Sequence, residues 1–280
     1  MPIRRITENI DSHLHLSTRK DDKLLPFAKR NGLHYDLQEL SSIMERNNTS
    51  AGLLLSPPVS FWRPCPNEEI LELAQASKGL LHPVLTVEGR EASVLSALKL
   101  AEDHKKEVKG FKILLGYERI FPTDNIFKLL YDYCEERNLP VLFHTGDTAD
   151  SRGSLLHSHP LNLDALANSR PNLKIVACHF GNPWLMDTAE LLYKHENLYA
   201  DISGLFTGGE GEYSSKYLQF LAKTISNAIY YIGNCDKILF GSDYPISLPG
   251  RVLQLVMNLE ISSRDARKIL FKNSKILFRI

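Results

Sequence analysis

Short apolar segments, rich in aliphatic and β-branched residues, alternate with longer segments of helical period along this 280-residue chain. The pattern predicts eight strands, near residues 8–15, 51–56, 80–87, 109–115, 140–145, 174–180, 198–203 and 237–243. Strands that alternate with helices form parallel sheets, and eight repeats favour a sheet that closes on itself. The sequence therefore predicts an α/β protein: one (β/α)8 TIM-barrel domain over residues 1–280 with a closing C-terminal helix.

The composition is that of a globular protein with a large core, since 43% of the residues are apolar and 24% are charged. The 33 basic and 33 acidic residues cancel, so nothing favours nucleic acid or an anionic membrane as a partner. The sequence shows neither a secretory signal nor the ~20-residue apolar run of a membrane span. We therefore expect a small-molecule partner, and a homo-oligomer stays open.

The four cysteines are widely spaced and form no C-x-x-C pair. This usage is typical of free thiols in a reducing compartment. We therefore expect a cytoplasmic protein.

Four of the predicted strands end on residues that commonly bind metals. They are His13 and His15 in IDSHLHL, His144 in VLFHTG, His179 in IVACHFG and Asp243 in ILFGSDYP. The carboxyl ends of parallel strands meet at one end of a barrel, so these five side chains are expected to converge. Imidazoles and carboxylates are ligands of Zn²⁺, which is the predicted cofactor.

The alternation of side chains along a strand predicts which residues share a face. His13 and His15 point the same way, whereas Leu14 and Leu16 suit the face that packs on helices. Asp11, behind the two histidines, is a candidate to orient an imidazole, although packing explains it equally well. The same rule groups Leu142 with His144, Ile175 and Ala177 with His179, and Leu239 and Gly241 with Asp243.

Each of these motifs also has a purely structural interpretation. The H-x-H spacing is weak by itself, and a lone histidine at a strand end is commonly a core residue. Asp243 would also serve as the N-cap of a following helix. However, a carboxylate buried at the end of an apolar strand needs a compensating cation. Two histidines, His144 and His179, that each lie just before a glycine at a strand end are also hard to explain by packing.

Several segments resemble one known family when they are taken together. They are IDSHLHL, GFKILLGYERIFP, LPVLFHTGDT, HPLNLDALANSRPNLKIVACHFGNPW, YADISG, ILFGSDYP and RKILFKNSKILF. Over nearly the whole chain they resemble the amidohydrolase superfamily, in the amidohydrolase-2 branch of TIM-barrel metal-dependent hydrolases. That branch also contains the aminocarboxymuconate-semialdehyde decarboxylase.

The resemblance implies roles for particular residues. It implies metal ligation by His13, His15, His144 and Asp243, with His179 beside the metal-bound water as a base or as an additional ligand. Lys112 lies near the position of a carboxylated lysine that bridges two metals in binuclear relatives. Lys112 is equally a candidate substrate-binding cation, or a partner for a buried acid.

A metal site of this kind favours a hydrolase. A Zn²⁺ ion with an open position lowers the pKa of bound water from ~15.7 towards ~7. We therefore expect hydrolysis of an amide, ester or lactone of a small molecule, with Asp243 or His179 as the catalytic proton carrier. The alternative is a non-oxidative decarboxylase, a lyase that uses the same ligands. A non-catalytic barrel is disfavoured, because structural zinc usually has a closed, cysteine-rich shell.

The loops that follow the strands are expected to select the substrate. Two of them are long, residues 145–162 after the fifth strand and residues 204–215 after the seventh. Loops of this length are often lids or binding loops, but a flexible surface excursion explains the glycine-rich second loop equally well. Arg63 and Arg152 are candidates to bind a substrate carboxylate, although each is also explained as a surface arginine. Further candidates for the pocket wall, besides Lys112, are Trp62, Tyr117, His157 and His159.

Overall fold

The structure is a computed structural model, and it describes residues 7–59, 63–206 and 214–280. In these ranges one sheet contains eight parallel strands, and neighbours in the sheet are neighbours in sequence. The strands are β1 Asn9–His15, β2 Thr49–Leu55, β3 Leu81–Val87, β4 Gly110–Ile113, β5 Pro140–Phe143, β6 Lys174–Ala177, β7 Leu198–Asp201 and β8 Ile238–Leu239. All eight predicted strands are confirmed.

The last strand region closes the sheet against the first strand. The main-chain N–H of Ser12 donates to the carbonyl of Phe240 at 2.9 Å, and that of His15 donates to the carbonyl of Tyr244 at 2.8 Å. In the opposite direction, the N–H of Asp243 donates to the carbonyl of His13 at 2.7 Å. These bonds confirm the predicted TIM barrel, and they bring the ends of β1 and β8 side by side.

Helices surround the barrel. In chain order the described α-helices are α1 Leu25–Arg30, α2 Leu37–Arg46, α3 Asn67–Ala76, α4 Glu91–Asp103, α5 Lys128–Arg137, α6 Leu155–Ser158, α7 Leu163–Ser169, α8 Leu185–Lys194, α9 Ser215–Ile232, α10 Pro249–Met257, α11 Ser263–Arg267 and α12 Asn273–Phe278. None of them is both long and apolar enough to cross a bilayer.

The core has an inner and an outer layer, because alternate strand residues face the barrel interior and the helices. In β5, Leu142 belongs to the interior cluster, whereas Val141 and Phe143 pack in the cluster shared with the surrounding helices. Leu277 and Phe278 of α12 join the interior cluster together with Ile10. Ile10 lies near the amino end of β1, so the C-terminal helix closes the barrel opposite the predicted ligands.

Asn273 attaches α12 to the start of β8. Its buried side-chain amide donates to the carbonyls of Cys235 and Ile238, both at 2.7 Å. In the N273A variant both carbonyls lose this donor, so we expect the free energy of unfolding to fall by about 1–3 kcal/mol, measured by urea denaturation. The exposed Asn168→Ala serves as control, with a change below about 0.5 kcal/mol. Equal effects in the two variants would contradict the role of Asn273.

Candidate metal centre

Five side chains meet at the carboxyl end of the barrel, and they are the five predicted ligands. A carboxylate oxygen of Asp243 lies 3.2 Å from Nε2 of His15 and 3.6 Å from Nε2 of His13. Nε2 of His179 lies 3.1 Å from Nδ1 of His144. Donor atoms of His13, His179 and Asp243 all lie within 4.8 Å of one another. The strand ends therefore converge as the sequence pattern predicts.

His179 reaches this site in an unexpected way. β6 ends at Ala177, and the outer cluster contains Ile175 and Ala177, whereas Cys178 faces the interior. The predicted grouping of His179 with Ile175 and Ala177 on one face is therefore wrong. His179 and Phe180 adopt left-handed backbone conformations, with φ of 61° and 49°. This turn reverses the alternation, so that Phe180 packs outward and His179 lines the cavity.

Each of the four histidines has one ring nitrogen on a hydrogen-bond acceptor at the edge of the site. The acceptors are Asp201 Oδ2 for His13, the Leu55 carbonyl for His15, the Asp147 carbonyl for His144 and Ser203 Oγ for His179, at 3.0, 3.1, 2.9 and 2.9 Å. Carbonyls and carboxylates only accept, so the partnered nitrogen carries the hydrogen. For His179 the same follows because Ser203 donates its own hydrogen to Asp201. A neutral imidazole held in this way keeps a lone pair on its other nitrogen, which faces the centre.

This arrangement fits a divalent metal ion. Nδ1 of His144 and Nε2 of His179 face each other with two lone pairs, which repel unless a cation lies beside them. Oδ1 of Asp243 is buried and accepts no hydrogen bond from the described part of the chain. Burial lowers the pKa of His179 to about 3 and holds that of His144 well below its ordinary value. Metal ligands must be deprotonated, and the lowered pKa values of His144 and His179 favour that form.

Lys112 lies inside the barrel beside the centre. It is 3% exposed, and its Nζ donates to Sγ of Cys178 at 2.8 Å. Among the described residues, no carboxylate oxygen lies within 4.0 Å of this ammonium, and no hydrogen bond joins it to the five predicted ligands. A buried ammonium without an anionic partner is costly, so this position suits an anionic group of a ligand.

A cavity of about 360 Å³ opens above the centre. The five predicted ligands, Lys112 and Tyr117 line it, and so do Lys23 and Asp147. Its other walls are mainly apolar, formed by Leu24, Phe27, Pro58, Leu114 and Ile246. The volume and the few polar groups are typical of a site for one small molecule.

Four of the residues predicted for the pocket do not line this cavity, namely Arg63, Arg152, His157 and His159. The exposed Arg152 pairs with Asp150 at 2.6 Å, two residues away on the same loop. The ring of His159 packs against that of Trp184 in a tilted arrangement, with 4.5 Å between the centroids. Trp62 and residues 207–213 of the second long loop lie outside the described residues. A substrate role for the two arginines therefore stays a prediction that these contacts do not support.

Sequence reasoning missed Asp201 and Ser203, which contact the imidazoles from the edge of the site. The signal was present in YADISG, because Asp201 ends an apolar strand just as Asp243 does. Asp11, in contrast, contacts the main chain and not a ring. Its carboxylate accepts from the N–H groups of His13 and Ser242 at 3.2 and 2.9 Å, and burial raises its pKa to about 7.

Gly204 leaves room for the His179 ring. A Cβ atom at this position, whose φ is +61°, would lie 2.4 Å from Nδ1 of His179. We expect G204A to displace the ring and to lower metal affinity at least about 10-fold, measured by chelator competition. Gly233→Ala is a matched control, since φ is +81° there but a Cβ meets nothing within 4 Å. It should lose about 1 kcal/mol of stability and no metal affinity. An unchanged affinity in G204A would contradict this account.

A closed parallel barrel with imidazole and carboxylate donors at its carboxyl end defines a TIM-barrel enzyme with a candidate metal centre. The amidohydrolase family model matches residues 10–280, which is nearly the whole sequence. The chain therefore belongs to the amidohydrolase family, as its motifs suggested, and is a metal-dependent enzyme that acts on small molecules. No curated protein matches the chain.

Solved structures share the fold at low sequence identity. A TIM-barrel protein of unknown function from Bordetella bronchiseptica superposes with a TM-score of 0.75 at 18% identity, covering 98% of this chain and 99% of that one. A probable 2-pyrone-4,6-dicarboxylic acid hydrolase from Acinetobacter baumannii, with citric acid bound, gives 0.70 at 18% identity over 98% and 100%. A dihydroxybenzoic acid decarboxylase from Polaromonas, with manganese and 2-nitroresorcinol bound, gives 0.66 at 16% identity over 98% and 97%.

Proposed function

We propose that this protein is a hydrolase that uses a metal-activated water to split an amide, ester or lactone bond of a small-molecule substrate. The observation that carries the proposal is the convergence of four imidazoles with the buried carboxylate of Asp243, each ring having its other nitrogen on a hydrogen-bond partner at the edge of the site. A divalent ion bound there supplies a Lewis acid and lowers the pKa of water towards ~7.

The side chains divide into ligands and a proton carrier. His13, His15, His144 and Asp243 would hold the ion, because each offers one unprotonated donor atom to the centre. Nε2 of His179 would accept the proton of the attacking water and pass it to the leaving group. Its Nδ1 stays on Ser203 at 2.9 Å, which keeps the ring in one orientation during both transfers. His179 is thus the proposed general base, and Asp243 orients the water.

The substrate is proposed to carry a carboxylate on a small apolar body. Lys112 supports this, because its ammonium lines the cavity and no carboxylate oxygen of the described residues lies within 4.0 Å of it. Leu24, Phe27 and Ile246 offer apolar walls, and Tyr117 lies beside His144 with 4.7 Å between ring centroids. A molecule with a single ring suits a volume of about 360 Å³.

The second candidate is a non-oxidative decarboxylase. The same ammonium favours it, because a cation beside the metal centre is suited to bind the carboxylate that leaves as CO2. The decarboxylase from Polaromonas has the same fold, which supports this candidate.

The two reactions differ in the fate of solvent oxygen. The metal-loaded protein is incubated in ¹⁸O-labelled water with a panel of aryl amides, esters and lactones that carry a carboxylate, and with the matching simple acids. Hydrolysis incorporates one labelled oxygen into the product and releases no CO2. Release of CO2 without incorporation would overturn hydrolysis in favour of decarboxylation. Inactivity on the whole panel, in protein that contains metal, would count against both.

The proposed ion is Zn²⁺, because imidazole nitrogens make up most of the donor set and suit zinc better than a hard cation. Manganese is the alternative, as it is bound in the Polaromonas decarboxylase. Elemental analysis of protein purified without added metal, followed by reloading with each ion, decides between them. We expect about one zinc ion per chain, whereas two per chain would favour Lys112 as a bridging ligand.

A further inference from the structure

Asp201 is a buried carboxylate that lies behind the metal centre and outside the cavity. It ends β7 and is 0% exposed, and neither Asp201 nor Ser203 lines the cavity. Oδ2 of Asp201 accepts a hydrogen bond from Nδ1 of His13 at 3.0 Å. Oδ1 accepts from the main-chain N–H groups of His179 and Ser203, at 2.9 and 3.0 Å, and from the hydroxyl of Ser203. The carboxylate thus joins three segments of the barrel.

The direction of these bonds determines which nitrogen of each ring is protonated. An ionised carboxylate cannot donate, so His13 must carry its hydrogen on Nδ1 and keep a lone pair on Nε2. Ser203 donates to Asp201, so its oxygen accepts from Nδ1 of His179 at 2.9 Å. His179 therefore also keeps its lone pair on Nε2, which faces His144.

The charged form of Asp201 is maintained by its surroundings. Oδ1 accepts from two main-chain N–H groups and from the Ser203 hydroxyl, and Oδ2 lies 3.0 Å from Nδ1 of His13, so every one of these contacts suits an ionised carboxylate. Both carboxylate oxygens of Asp201 therefore act as hydrogen-bond acceptors.

We propose that Asp201 is a positioning residue that sets the tautomers of two imidazoles at once, that of His13 by direct contact and that of His179 through Ser203. His13, in β1, would then present an unprotonated nitrogen to the ion, and His179, just after β6, would present one to the attacking water. The inference rests on the metal centre of the proposed function. It adds that β7, which supplies none of the proposed ligands, determines the tautomer of one ligand, His13, and of the proposed general base, His179.

The test compares three variants of the full chain. In D201N one carboxylate oxygen is replaced by an amide nitrogen, which donates hydrogen bonds. Either Nδ1 of His13 or the donors of Ser203 and His179 therefore lose their acceptor. S203A keeps the bond of 3.0 Å between Asp201 and His13, and it removes the link to His179 together with the contact of 3.1 Å between Ser203 Oγ and Nδ1 of His13. D11N is the matched control, because Asp11 is equally buried and contacts the main chain of His13 but, in the described structure, no imidazole.

The readouts are histidine tautomers from ¹H–¹⁵N spectra of metal-free protein, and Zn²⁺ affinity from chelator competition. We expect D201N to lose the Nδ1–H signature of at least one ring and to bind Zn²⁺ about 10–100-fold more weakly. S203A should change the tautomer of His179 but not that of His13, which keeps Asp201 as its acceptor, and should lose less affinity than D201N. D11N should change neither tautomer. Thermal unfolding checks that each variant folds; if D201N does not, S203A decides by its His179 spectrum.

Wild-type tautomers and affinity in both D201N and S203A would overturn the proposal. Equal effects of D11N and D201N would overturn it too, because burial of any carboxylate would then suffice. The tautomer comparison needs neither metal nor substrate. A wild-type protein that binds no divalent ion would therefore refute the proposed function while the spectra still test Asp201.

Discussion

Replacement of Asp243 by asparagine should abolish metal binding while the protein stays folded. Asp243 is the one carboxylate among the five predicted ligands, and its Oδ1 accepts no hydrogen bond from the described residues. The amide has the same shape but no charge, and it offers a much weaker donor. Loss of residues that merely contact a ligand costs about 10–100-fold in metal affinity, so we expect D243N to lose at least about 100-fold and to be inactive.

Chelator competition and thermal unfolding with added Zn²⁺ measure this effect. Binding of an ion to the folded state alone raises the unfolding temperature, so the wild-type protein should shift and D243N should not. Asp147→Asn is the matched control, because its side chain lines the same cavity but is not among the predicted donors. The unfolding temperature of this variant should rise with added Zn²⁺ as that of the wild type does. A D243N protein that binds Zn²⁺ normally would contradict the metal centre.

Replacement of Lys112 by methionine should remove the preference for anionic substrates. The ammonium is 3% exposed and its described hydrogen bond goes to the uncharged thiol of Cys178. A charge pair formed there with a substrate carboxylate would be fully desolvated, and loss of one partner of such a pair costs about 2–5 kcal/mol. We therefore expect kcat/KM for a carboxylate substrate to fall about 100-fold relative to its methyl ester.

Two further measurements separate this role from a structural one. Methionine avoids burial of an unpaired charge, so K112M should be at least as stable as the wild type in urea denaturation, with unchanged metal content. Lys23→Met is the control, because Lys23 is an exposed cation at the cavity wall. In the Lys23 variant, the ratio of kcat/KM for the acid to kcat/KM for the ester should change less than about 3-fold, as expected for a screened surface charge. An unaltered ratio in K112M would remove Lys112 from substrate binding.

The barrel could be predicted because the strands are short and apolar, and because a helical segment separates most of them from the next strand. All eight predicted strands are confirmed. The convergence of the five donors could be predicted for the same reason, since strand ends meet at one end of a parallel barrel. The face of the strand on which His179 lies could not be predicted. The left-handed backbone at His179 and Phe180 depends on tertiary contacts, including the space above Gly204, and simple alternation does not contain it.

Contacts between side chains of different strands also could not be predicted from the sequence. Lys112 pairs in register with Leu142, and Leu142 with Val176, which places Cys178 next to the ammonium two strands away. This thiol contact depends on register and cannot be inferred from either segment alone. For Arg152 the sequence held a local explanation, since Asp150 lies two residues away and forms the ion pair. Asp201 could have been predicted as Asp243 was, because it too is a carboxylate at the end of an apolar strand.

The solitary ammonium of Lys112 has a consequence for turnover. A hydrolysis product that retains its acid group would leave the pocket only by exposing this cation again, and so would compete with the next substrate molecule. Small buffer anions such as acetate and formate would occupy the same place. Kinetic constants should therefore depend on the buffer chosen, and an assay in a cationic buffer would reveal the full rate.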